Sequence, residues 1–120
     1  MLSGNFSSWP SFSKQEIDAV IGVLSSNQVN YWTGWQCRDF ELEFAKYCNT
    51  RYAISLGNGT LALDLALKAL DIKPGDEVIV TSRTFIASVS SIINIGAIPI
   101  FADVDLDSQN ITLKSIRNKV

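Results

Sequence analysis

The sequence predicts an α/β fold in which a mostly parallel sheet is flanked by helices. Two observations predict it. From residue 52 onward, short apolar segments with strand character alternate with helical segments in the order β-α-β-α-β-α. Helices, not tight hairpins, connect these strands, as parallel pairing requires. Residues 1–50 contain no strand candidate, so we predict an N-terminal helical segment over 1–50 and the start of an α/β domain over 51–120.

Two amphipathic helices are predicted in the N-terminal segment. Ser13 and Glu16 have the spacing of a capping box, which marks a helix start. The apolar residues that follow recur at helical spacing and predict a helix ending near Ser26: Ile17, Val20, Ile21 and Leu24. The polar and aromatic loop 27–36 breaks this period. A second helix follows, with Phe40, Phe44 and Tyr47 on one face.

Three strands and three helices are predicted in the α/β part. In chain order they are strand Tyr52–Leu56, helix Thr60–Leu70, strand Glu77–Thr81, helix Phe85–Ile95 with Gly96 as its C-cap, strand Ile98–Val104, the polar turn Asp105–Asn110 and a helix starting at Thr112 and continuing to Val120. The first two of these helices are apolar on most faces. We therefore expect the 120 residues to be incomplete, with the apolar faces covered by more chain or by another subunit.

Composition and charge exclude several classes of function. The net charge is −2 and the ten Lys and Arg residues are scattered, which argues against nucleic-acid binding. No apolar run reaches the ~18–20 residues that span a bilayer, so no membrane segment is expected. The N-terminus lacks the features of a secretory signal. Without histidine, a metal site is not expected.

The two cysteines indicate a reducing compartment. Cys37 and Cys48 lie 11 residues apart on one predicted helix. At ~1.5 Å of rise per residue their separation is ~16 Å, too far for a disulfide. We expect two free thiols and a cytoplasmic protein.

The most informative stretch is Gly57–Leu63, where a predicted strand leads into a helix. Small residues allow close approach of an anion, and the uncapped N–H groups of a helix N-terminus bind it. Thr60 adds a hydroxyl donor. This pattern predicts a phosphate site at Gly59 and Thr60. The alternative is a tight turn in which Thr60 is only the N-cap, and spacing does not decide between the two.

The same residues also match the dinucleotide fingerprint G-x-G-x-x-G/A, with Ala62 in the last place. A dinucleotide site usually has an acidic residue after the next strand, whereas here that strand ends Thr81-Ser82-Arg83. An NADP-binding module that uses Arg83 stays open as an alternative. Phe85 follows at the same edge of the sheet, where it could stack on a flat ring or pack in the core.

Several motifs together resemble the N-terminal signature of the DegT/DnrJ/EryC1/StrS aminotransferases, which are pyridoxal-phosphate (PLP) enzymes of fold type I. They run in the family's order along the whole chain: Trp9-Pro10, Glu16-Ile17, Gly34, Phe40-Glu41, Asn58-Gly59-Thr60-x-Ala62-Leu63, Gly75-Asp76-Glu77-Val78-Ile79, Thr84-Phe85-Ile86-Ala87 and Gly96-Ala97-x-Pro99-x-Phe101-x-Asp103-Val104-Asp105. The resemblance implies that 51–120 is the start of the large, PLP-binding domain of such an enzyme.

The resemblance also implies a function and site residues. The enzyme would transfer an amino group, with glutamate as the donor, to a keto-sugar linked to a nucleotide, and it would act as a homodimer. By similarity, Gly59 and Thr60 hold the PLP phosphate, Asn58 shapes the turn and Phe85 stacks on the pyridine ring.

The family's reactive lysine and its pyridine-binding aspartate have no counterpart in this sequence. None of the six lysines falls at the family's position, so no catalytic residue is predicted and the 120-residue chain alone is expected to be inactive. Sugar dehydratases of the same family, and a non-catalytic module that associates through its apolar surface, stay open as alternatives.

Overall fold

A computed structural model describes residues 8–119, and these divide into two compact units on either side of the bond between Ser55 and Leu56. Residues 1–7 of the predicted N-terminal segment lie outside the described residues. So does Val120, the last residue of the predicted C-terminal helix.

The first unit begins with helix α1, Lys14–Ser26, whose predicted capping box is confirmed. The Ser13 hydroxyl accepts a hydrogen bond from the Glu16 N–H at 3.3 Å, and the Glu16 carboxylate accepts one from the Ser13 N–H at 2.6 Å. Hydrogen bonds to its carboxylate from the side chain and the backbone of Ser13 lower the pKa of Glu16. The helix closes at Asn27, which takes the left-handed conformation with φ 57° that asparagine tolerates.

Helix α2, Gln36–Tyr47, carries the predicted aromatic face. The ring centroids of Phe40 and Phe44 lie 5.5 Å apart, and those of Phe44 and Tyr47 lie 6.4 Å apart. Both cysteines are exposed free thiols, Cys37 in the first turn of α2 and Cys48 at its C-cap.

The predicted strand Tyr52–Leu56 is wrong. The segment has strand composition, but its backbone enters no strand pairing in the described part of the chain. A strand exists only with a partner, and composition cannot supply one. The Ser55 N–H is bonded instead by the carboxylate of Glu41 on α2. The predicted three-stranded sheet is accordingly two-stranded over residues 8–119.

The second unit contains helix α3, Gly59–Ala69, strand β1, Glu77–Thr81, helix α4, Ala87–Asn94, strand β2, Ile98–Ala102, and helix α5, Leu113–Arg117. The strands pair in parallel, from Glu77 opposite Ile98 to Thr81 opposite Ala102. This confirms the predicted α/β class and the parallel pairing. The buried residues of this unit are mostly small and lie on α4, on β2 and just before β2: Ala87, Ser91, Ile92, Ala97 and Ala102.

Several predicted boundaries differ from those observed. Helix α3 lies one residue earlier than predicted, and α4 ends at Asn94, with Ile95 and not Gly96 as its C-cap. The helix predicted from Phe85 begins at Ala87, so Phe85 lies in the loop before it. The strand predicted to reach Val104 stops at Ala102, because Val104 forms an isolated antiparallel bridge with Ile111. The last helix ends at Arg117, with its C-cap at Asn118.

The loops that follow α3 and α4 are joined. The Gly75 N–H donates to the Gly96 carbonyl at 2.9 Å, and both glycines have positive φ, 92° and 79°. Pro74 packs so closely on Gly96 that a Cβ there would lie 3.1 Å from it. Helix α3 also packs against α4, and α4 packs against both strands. Because α4 connects the parallel strands β1 and β2, its N-terminus follows the carboxyl end of β1.

The apolar side chains of helix α3 are exposed to solvent. It contains no buried residue, and Leu61, Leu63 and Leu65 are 40–47% exposed. Within residues 8–119, none of the helices has the length and apolar character needed to cross a membrane.

Candidate cofactor-binding site

Asn58 forms the N-cap of α3. Its extended backbone, φ −168° and ψ 170°, lets the side-chain oxygen accept a hydrogen bond from the Leu61 N–H at 3.0 Å. Two interpretations of this turn were therefore wrong: the helix start is not uncapped, and Thr60 is not its cap. Thr60 lies inside the first turn, where its hydroxyl is not needed for capping.

Three donors at this turn stay unused. The N–H groups of Gly59 and Thr60 and the Thr60 hydroxyl form no hydrogen bond with any residue that the structure describes. A Cβ built on Gly59 meets nothing within 4 Å, so the space above the backbone is open. Two backbone donors, a hydroxyl and the positive end of the α3 dipole make a donor set suited to a phosphate group. The turn fits the phosphate of PLP.

A second loop follows β1. The Arg83 N–H donates to the Thr81 hydroxyl at 3.2 Å, and the Thr84 and Ser88 hydroxyls are 2.9 Å apart. These bonds tie the loop to the strand on one side and to α4 on the other. Phe85 lies between them and is 73% exposed. Its ring is thus not part of the core of this unit, which leaves an aromatic face open to a flat ligand.

The predicted site residues precede two helices that pack against each other. Asn58, Gly59 and Thr60 form the N-terminal turn of α3, and Phe85 lies in the loop that leads from the carboxyl end of β1 into α4. This is the edge at which open α/β sheets bind ligands.

Sequence reasoning missed a clamp made by Glu41. Its carboxylate accepts hydrogen bonds from the Ser55 N–H at 2.7 Å, the Ser55 hydroxyl at 2.8 Å and the Tyr31 hydroxyl at 3.1 Å. The bonds from Ser55 are the main reason that the pKa of Glu41 lies below its ordinary value of 4.5. The clamp holds the irregular segment that precedes Asn58 along the chain. The pair Phe40-Glu41 was part of the family resemblance, but residues 14 positions apart give no local signal of contact.

We expect Glu41→Gln to loosen the Ser55 segment. A group whose pKa is lowered by folding adds stability above its ordinary pKa of 4.5, and that stability is lost as the pH falls through the lowered value. The amide of Ser55 should therefore lose protection from hydrogen exchange in the wild type under acidic conditions, and in the variant at neutral pH. Glu43→Gln, on the exposed surface of the same helix, is the matched control. Equal protection in both variants at neutral pH would contradict the clamp.

Comparison with known proteins identifies what the chain is similar to. Residues 10–120 match the model of the DegT/DnrJ/EryC1/StrS aminotransferase family. An aminotransferase from Psychrobacter cryohalolentis shares 64% identity, with a TM-score of 0.92 over 96% of this chain and 29% of that one. A Streptococcus pneumoniae protein assigned as a sugar aminotransferase, in its PLP form, shares 32% identity, with a TM-score of 0.83 over 92% of this chain and 28% of that one.

A curated relative is a sugar transaminase. The dTDP-3-amino-3,6-dideoxy-alpha-D-galactopyranose transaminase of Aneurinibacillus thermoaerophilus is 40% identical over 109 residues, which are 91% of this chain and 30% of that protein. The chain thus spans less than a third of the length of these relatives. The matched structures confirm the predicted fold, the N-terminal part of a fold type I PLP-dependent transferase.

Proposed function

The chain belongs to the DegT/DnrJ/EryC1/StrS aminotransferase family, and from this premise we propose that it forms the cofactor-phosphate-binding part of a PLP-dependent aminotransferase. The substrate class is a keto-sugar linked to a nucleotide, with glutamate as amino donor. Support for the substrate class comes from the dTDP-sugar transaminase among the relatives.

The observation that carries the proposal is the set of unused donors at the start of α3. The N–H groups of Gly59 and Thr60 and the Thr60 hydroxyl bind the cofactor phosphate, and Asn58 holds the turn by capping the Leu61 N–H. The exposed ring of Phe85 packs on the face of the pyridine ring and fixes its tilt. When bound, PLP supplies an electron sink for the negative charge that develops at the substrate carbon.

The residues of this chain bind and orient; they do not transfer the proton. The lysine that bonds the cofactor and the aspartate that holds the pyridine nitrogen in the family have no counterpart among the 120 residues. The phosphate turn fixes one end of the cofactor so that such groups meet its other end in a constant geometry.

The proposal includes a homodimer in the cytoplasm. The leucines of α3 present an apolar surface that a second subunit or further chain would cover. The exposed free thiols of Cys37 and Cys48 are in the state expected of a reducing compartment.

The test is an assay of the purified full-length protein with PLP, glutamate and nucleotide-linked 4-keto sugars carrying GDP or dTDP. We expect PLP-dependent formation of an amino sugar, and the same preparation should sediment as a dimer. An enzyme that eliminates water from the sugar without consuming glutamate would instead be one of the family's dehydratases. Absence of PLP binding would overturn the proposal.

A further inference from the structure

Arg83 is a positively charged residue in the loop after β1, and it has no role in the proposed function. It follows β1 by two residues and is exposed. Its backbone N–H is bonded to the Thr81 hydroxyl at 3.2 Å, and the next residue, Thr84, is tied to Ser88. The loop is therefore anchored on both sides of Arg83, which limits where the long side chain can reach.

The guanidinium of Arg83 has no carboxylate partner among residues 8–119. The ion pairs there join Lys14 to Asp18 and Lys73 to Asp71. The acid nearest by strand register is Asp103, which follows the Thr81–Ala102 pair on β2. Its carboxylate accepts the Val104 N–H at 2.8 Å and forms no ion pair with Arg83. Arg83 thus offers an unpaired positive charge and a planar fork of donors.

The site needs such a charge. Every donor at the α3 turn is neutral, whereas a phosphate monoester carries close to two negative charges at neutral pH. In segments 57–60 and 82–87, which lead into the packed helices α3 and α4, Arg83 is the only charged residue. Arginine binds phosphate oxygens through two parallel hydrogen bonds, which gives direction as well as charge.

We propose that Arg83 binds a phosphate group at the carboxyl edge of the sheet. This rests on the proposed function. Two ligands of the proposed site contain such a phosphate group: the cofactor, in its phosphate ester, and the sugar substrate, in its nucleoside diphosphate. Arg83 also accounts for the departure from the dinucleotide pattern, because the position after β1 carries a phosphate-binding cation and not a ribose-binding acid.

The experiment uses the full-length protein with Arg83→Gln and Arg83→Lys. Dissociation constants are measured for PLP and for pyridoxal, which lacks the phosphate, and for GDP and dTDP. The control is Lys68→Gln, which removes an exposed cation from the last turn of α3, at the opposite end of the helix. Melting temperatures show that each variant is folded, and all variants are compared at low and high salt.

If Arg83 binds the cofactor phosphate, Arg83→Gln weakens PLP binding by about 10-fold to 100-fold and leaves pyridoxal binding unchanged. If it binds the diphosphate, the same loss is seen for GDP or dTDP and not for PLP. Arg83→Lys should retain part of the affinity, and that part should be more sensitive to salt.

A folded Arg83→Gln protein that binds PLP and both nucleotides as the wild type does would overturn the inference and leave the proposed function intact. A wild type that does not bind PLP would instead remove the proposed function itself. If Arg83→Gln and Lys68→Gln lose the same amount of affinity, the effect is due to net charge, and this result would also contradict a specific role for Arg83.

Discussion

Replacing Thr60 with valine is expected to weaken PLP binding to the full-length protein by about 1–3 kcal/mol, or roughly 5-fold to 150-fold. Valine has the shape of threonine but lacks the hydroxyl, so the phosphate loses one of its three donors at the α3 turn. The fold should be unaffected, because Asn58, not Thr60, caps the helix. Spectroscopic titration with PLP measures the change.

Two control variants separate the hydroxyl from general effects. Thr60→Ser keeps the donor and should retain most of the affinity. Thr112→Val removes the N-cap of α5, which lies elsewhere in the unit, and should lower stability by about 1 kcal/mol without affecting PLP. An affinity for PLP that does not change in Thr60→Val would exclude Thr60 from the site.

The largest expected effect is a complete lack of transamination by the 120-residue polypeptide alone. Its six lysines all lie on exposed positions, and none is held in a desolvated pocket that would activate an amine: Lys14, Lys46, Lys68, Lys73, Lys114 and Lys119. Borohydride reduction in the presence of PLP, followed by peptide mapping, should show sparse labelling spread over several lysines.

Stoichiometric labelling of one lysine, together with turnover of glutamate, would contradict this expectation. It would show that the 120 residues contain a complete active site, although they span less than a third of their relatives. The full-length protein, assayed in parallel, is the control that validates the substrates.

Local patterns predicted much of the fold. The capping box of Ser13 and Glu16 and the β-branched strand Glu77–Thr81 depend on neighbours within a few positions, and both were found as predicted. Gly96, which was predicted as the C-cap of α4, follows the observed C-cap, Ile95, by one residue. The predictions that were wrong concern features that depend on residues far away in the sequence. Segment Tyr52–Leu56 has strand composition, but whether it is a strand depends on a neighbouring strand that the sequence does not specify.

The assignment of the candidate-site residues stays a prediction, and the structure adds the hydrogen bonds around them. The alternation of strands and helices is enough to bring Gly59, Thr60 and Phe85 to one edge of an α/β unit. Asparagine and threonine are both good N-caps, so only the extended backbone at Asn58 decides which of them caps α3. The hydrogen bond from Ser55 to Glu41 joins residues far apart in sequence, so no local sequence motif predicted it.

The central claim is that the start of α3 binds the phosphate of PLP, and a crystal structure of the full-length protein with PLP tests it most directly. We predict phosphate oxygens at about 2.7–3.2 Å from the backbone nitrogens of Gly59 and Thr60, with the Thr60 hydroxyl as third donor. The pyridine ring should lie on Phe85. A phosphate bound elsewhere, with the Gly59 and Thr60 donors turned to water or to other protein groups, would contradict the account.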